Sequence, residues 1–142
     1  MPDPFPRPRL PLMINYVLII LLIVLASPAH ADVETGRQLF QEKKCRLCHR
    51  VENPGTVFKP ICPGLKGVKA RHSEEWLARW LKDPARVWKE GGPDVEDINR
   101  RFFEYRGRKP GPRESFMATI IGKQVVLTDE EIRHLIDYLK TL

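Results

Sequence analysis

The chain has 142 residues, 24 Lys and Arg against 18 Asp and Glu (formal net charge +6), 42% hydrophobic and 30% charged residues. That apolar fraction is too high for a disordered chain, and the length leaves room for one small domain rather than several. The modest basic surplus biases encounters toward acidic partners, but no basic run interleaved with aromatics argues for nucleic acid, and no internal repeat is visible.

Residues 1–31 read as an export signal. Arg7 and Arg9 lead into the apolar run YVLIILLIVLA (16–26), and AHA (29–31) supplies the small-x-small pattern of a cleavage site. Cleavage after Ala31 leaves a domain over 32–142. The competing reading is a retained membrane anchor. A span needs about 20 apolar residues, whereas Tyr16–Ala26 runs for 11, preceded by Pro11 and Asn15. Export implies a periplasmic location, with membrane association only if the leader is kept.

The next stretch, VETGRQLFQEKK (33–44), reads as a helix with no strand before it. It runs into CRLCH (45–49), which offers three chemistries. Zinc needs four ligands, usually two separated pairs; Cys62, His72 and His134 remain, and none belongs to a second paired motif. A thioredoxin-like pair sits between a strand and a helix, which this context lacks. The third chemistry fits. C-x-x-C-H is the attachment pattern of haem c: Cys45 and Cys48 form thioethers to the macrocycle edge, and His49 falls beneath the iron. Three cysteines in an exported chain leave Cys62 over.

Farther along, SEEWLARWLKDP (73–84) reads as an amphipathic helix with Trp76, Leu77, Trp80 and Leu81 on its apolar face and Asp83-Pro84 as its stop. His72, just before it, reads as a surface residue. Segment 86–115 reads as an extended loop carrying one short helix within INRRFFEYRGRKPGPR (98–113). Its cations Arg100, Arg101, Arg106, Arg108, Lys109 and Arg113 are candidates for docking an acidic redox partner. Of three methionines, Met1 and Met13 belong to the leader, so Met117 is the one left to the domain, 68 positions after His49 (117 − 49) in a turn-like stretch. It is the candidate sixth ligand, with His72 and His134 as rivals. The last helix carries the stripe Ile132, Leu135, Ile136 and Leu139, with His134 off it and solvated. Thr128 and Glu131 fit a capping box, and Leu127 can staple onto Ile132.

These residues together resemble a class I c-type cytochrome over nearly all of 33–142. The resemblance implies an all-α fold: about three to five helices around one covalently bound haem c, with the N- and C-terminal helices crossing. Gly36 and Phe40 would meet Leu135 and Tyr138 at that crossing. CPGLKG (62–67) resembles the Gly-Pro-x-Leu-x-Gly segment of such proteins, in which the carbonyl of Pro63 would accept a hydrogen bond from His49. Arg71 matches a position near the haem propionates. Cys62 stands where relatives carry Gly and reads as a buried spectator thiol. Ala118 stands where Pro commonly follows the methionine. The function implied is electron transfer without catalysis of its own, as a free carrier or a subunit of a larger redox complex. The alternative is a haem protein with an open sixth site that catalyses or senses small molecules.

Overall fold

The structure is a computed structural model that describes residues 29–142. The leader expected over 1–31 therefore lies outside the described residues, except for Ala29–Ala31. Six α-helices follow in order: α1 (Ala29–Glu42), α2 (Glu74–Lys82), α3 (Pro84–Glu90), α4 (Pro93–Tyr105), α5 (Phe116–Ile120) and α6 (Asp129–Leu139). Among the described residues there are only isolated β-bridges, so the domain is all-α. None of these helices is long and apolar enough to cross a membrane.

Local chemistry sets the helix boundaries. Ser73 caps α2, its hydroxyl accepting the Trp76 N–H at 3.2 Å. Asp83 ends α2 and caps α3, accepting the Arg86 N–H at 3.0 Å, with Pro84 at the first helical position. The expected stop is therefore also a start, because a proline that cannot continue one helix is preorganised to open the next. Gly91 (φ 75°) and Gly92 (φ 103°) make the next break, and Pro93 opens α4. Segment 86–115 thus departs from the extended loop expected of it. It holds most of α3 and all thirteen residues of α4, leaving only Gly91, Gly92 and 106–115 without helix. The extra helices account for six where three to five were expected. At α6 the capping box is complete: Thr128 Oγ accepts from Glu131 N at 3.1 Å, and Glu131 Oε2 accepts from Thr128 N at 2.8 Å.

The main core gathers Phe40 from α1, Val68, Leu77 from α2, Ile121, Leu127, and Ile132, Leu135, Ile136 and Leu139 from α6. A smaller cluster joins Trp80, Val87 and Val95, and Met117 packs against both. At the α1–α6 crossing, a Cβ on Gly36 would sit 1.9 Å from the His134 carbonyl oxygen, so only glycine allows this approach. Phe40 and Tyr138 close over the crossing, ring centroids 5.6 Å apart.

Candidate functional site

Lys44 takes a left-handed conformation (φ 59°, ψ 24°) that breaks α1 and turns the chain into a short 3-10 turn, Cys45–Leu47. The Cys48 and His49 N–H groups then donate to the Cys45 carbonyl at 3.2 and 2.9 Å. One turn therefore presents positions i, i+3 and i+4 to the interior, and Cys45, Cys48 and His49 all line one cavity. Leu47, between them, is 69% exposed.

His49 is oriented from behind. Its Nδ1 lies 2.9 Å from the Pro63 carbonyl oxygen. A carbonyl only accepts, so Nδ1 carries the proton and Nε2 keeps its lone pair. Burial lowers the His49 pKa, the Pro63 bond opposing it, so the imidazole is held neutral, the form that binds a metal. The segment carrying Pro63 is itself pinned: Leu65 N donates to Arg50 O, Lys66 N to Asn53 O (both 2.9 Å), and Gly67 N to Leu142 O at 2.7 Å.

The cavity opens to solvent and spans about 970 Å³ of empty space counting its mouth. Its wall is almost wholly apolar, with Phe40, Leu65, Val68, Leu77, Trp80 and Leu135 among its residues. Met117 lies on α5, a five-residue helix rather than the turn expected, and lines this cavity. His49 and Met117 also share the wall of a smaller adjoining pocket with Trp80, Cys62, Arg113 and Ser115. An apolar slot with two thiols and a neutral imidazole on one turn, and a thioether on its wall, fits an iron macrocycle held by thioethers.

The other candidates lie elsewhere. Arg71 does not line either pocket; its Nη1 and Nη2 donate to the Lys66 and Gly64 carbonyls at 2.7 and 3.3 Å. His72, read from sequence as a surface residue, is 8% exposed. Its Nδ1 meets Asp94 Oδ1 at 2.5 Å and its ring stacks on Trp76 at 4.4 Å. The His134 side chain is 12% exposed rather than solvated, because the α1–α6 crossing covers it, and its Nδ1 lies 3.2 Å from Asp32 Oδ1. Neither histidine reaches the cavity. Trp80 does, while Trp76 is stacked between His72 and Trp80. Cys62 is buried beside Cys48 on the cavity wall, and burial, reinforced by Cys48, pushes its thiol pKa up.

The basic set of 98–113 divides in two. Arg100 pairs with Asp97 and Glu104. Arg101 is 5% exposed, bonded to Asp97 at 2.7 Å and to the Gly55 carbonyl. Arg113 is turned inward between Trp88 and Phe102, 4.7 and 4.3 Å from the ring centroids. Arg106 lies over Phe102 and Tyr105, and Arg108 and Lys109 stay exposed. The inward arginines escaped the sequence reading of this segment. For Arg101 a signal existed, since Val95, Ile98 and Arg101 fall on one buried helical stripe. For Arg113, in a Pro/Gly loop, none did.

Fold and site together define a small helical domain around an apolar cavity whose wall carries a Cys-Cys-His turn and a methionine. The family model for Cytochrome c matches residues 33–142, and the chain belongs to the cytochrome c family. Membership implies covalently bound haem c and a role in haem-based electron transfer. No curated protein and no solved structure matches the chain.

Proposed function

We propose that this protein is a periplasmic electron carrier with one haem c, either free or a subunit of a larger redox complex. Cys45 and Cys48 would tether the haem as thioethers, and His49 and Met117 would hold its iron. The observation that carries the reading is that His49, with Nε2 left free by its bond to Pro63, and Met117 line the same two apolar pockets. One haem agrees with the single C-x-x-C-H of the sequence. Haem c held in this way would supply one-electron chemistry, leaving the chain's residues to bind, orient and insulate it.

The chain's own groups do the rest. The Pro63 bond orients the imidazole and keeps it basic. The wall residues exclude water, which keeps the reorganisation on electron transfer small. Export, cleavage after Ala31 and docking of an acidic redox partner complete the proposal, with Arg106, Arg108 and Lys109 as the exposed cations of the basic segment that have no ion pair among the described residues. Oxidised and reduced optical spectra test it. Low-spin ferric spectra with the weak near-infrared thioether band, lost on Met117→Leu, are expected. A high-spin ferric spectrum that binds small ligands at once, or a band that survives the substitution, overturns the Met117 assignment in favour of an open sixth site.

A further inference from the structure

The segment between α3 and α5 holds a cation that the described residues leave without a counter-charge. Arg113 is half-buried, and each neighbour its guanidinium touches is formally neutral: Asn99 Oδ1 accepts from Nε at 3.0 Å, the Glu114 backbone carbonyl accepts from Nη1 at 3.2 Å, and the Trp88 and Phe102 rings lie on it. A guanidinium has five N–H donors and stays protonated in proteins, so most of its bonding capacity is unspent. Six other arginines have a carboxylate, and Arg106 and Arg108, which have none among the described residues, are exposed. Arg37, Arg79, Arg86, Arg100, Arg101 and Arg133 each meet a carboxylate. Burial lowers the pKa of Arg113, and the group that opposes this is the Cys62 thiol, not a carboxylate.

Position gives the unspent charge a direction. Arg113 lines the pocket whose wall also includes His49 and Met117. The two rings and the Asn99 bond fix its plane, and Trp88 Nε1 fixes the local backbone by donating to the Arg113 carbonyl at 3.1 Å. A half-buried, oriented guanidinium whose partners are all neutral is suited to meet an anion. Resting on the haem reading above, we infer that Arg113 is a positioning residue whose guanidinium receives a haem carboxylate. Guanidinium and carboxylate match as a two-bond fork. Arg71, the residue that the family resemblance puts near the propionates, also lacks a carboxylate among the described residues and has a buried Nε without a hydrogen bond. Its Nη atoms, however, bond the Lys66 and Gly64 carbonyls, and it does not line the pocket.

The test uses holoprotein variants Arg113→Gln, Arg113→Lys, Arg71→Gln and Asn99→Leu, each first checked for covalent haem by its pyridine haemochrome spectrum. Absence of covalent haem from the wild type refutes the haem reading itself, separately from Arg113. With haem present, the readouts are the reduction potential and the propionate bending band in resonance Raman. Arg113→Gln is expected to lower the potential and move the band, because a positive charge near the iron favours the ferrous state. Arg113→Lys should restore most of the potential but not the band position, since an ammonium cannot form the fork. Asn99→Leu, which keeps the charge and removes the bond orienting it, should move the band the same way by less. A structural role alone would lower the melting temperature and leave both readouts in place. An unmoved band and potential in Arg113→Gln, or a band that moves in Arg71→Gln and not in Arg113→Gln, overturns the inference. If Arg113→Gln does not assemble, an unmoved band in Asn99→Leu overturns it.

Discussion

Replacing Gly36 by Ala sets two effects of opposite sign against each other. In a helix interior Ala is favoured over Gly by about 0.5–1 kcal/mol, so propensity alone predicts a more stable protein. The α1–α6 crossing predicts the reverse. The added Cβ would lie 1.9 Å from the His134 carbonyl oxygen, 2.7 Å from its carbon and 2.8 Å from Tyr138 Cβ. Ordinary carbon contacts begin near 3.5 Å, so the helices must separate by on the order of 1.5 Å. Two of the three atoms are backbone, which no rotamer change can move aside. Separation loosens the Phe40–Tyr138 pair and the packing of Leu135, which is 2% exposed. Overpacking of this kind costs about 1–3 kcal/mol, and more where backbone must shift. Setting roughly 3 kcal/mol of strain against the propensity gain leaves a net loss of about 2 kcal/mol, a factor of about 30 in the folding equilibrium. For a domain of this size that is on the order of 10 °C in melting temperature. Guanidinium unfolding of the holoprotein, followed by far-UV circular dichroism, measures it. An Ala variant as stable as the wild type, or more so, refutes the close-approach argument.

Three further predictions follow from the same geometry. Thr128→Ala removes one arm of the α6 capping box and should cost about 1 kcal/mol in the same unfolding assay; no change would mean the cap contributes nothing. Arg101→Leu breaks a part-buried bond to Asp97 and strips the Gly55 carbonyl of its donor, so a loss of about 2 kcal/mol is expected, and a neutral variant would show the pair to be dispensable. Burial, only partly opposed by Asp94, lowers the His72 pKa, so below the ordinary histidine value of 6.5 the unfolded chain binds a proton the folded one resists. That contribution to stability is complete above pH 6.5 and is lost as pH falls through the lower folded value. His72→Gln should flatten this limb of the stability profile, and a slope identical to wild type would assign it to other groups.

What sequence could reveal here depended on the range of the interaction. The Cys45–Cys48–His49 turn and the Thr128–Glu131 box close within four residues, so their spacing carries their geometry. Pro84 and Pro93 were harder, because proline marks both the end of one helix and the start of another, and only packing decides. His72 read as surface because nothing local announces Asp94, 22 positions on, or the stacked Trp76. Arg113 read as a docking charge because the rings that enclose it come from α3 and α4.

The crossing of α1 and α6 also bears on the order in which the domain is assembled. Gly36 and Tyr138 meet across 102 positions (138 − 36), a loop closure that costs about 4 kcal/mol of chain entropy. The tethering turn needs none of that closure, since its bonds run back to Lys44 and Cys45. Leu135 and Leu139, part of the cavity wall, belong to α6, which lies most of the domain's length beyond the turn. Reactive thiols and insulating wall are thus set by contacts of very different sequence separation. A nascent chain can present Cys45, Cys48 and His49 in an open groove, and the C-terminal helix shuts it afterwards.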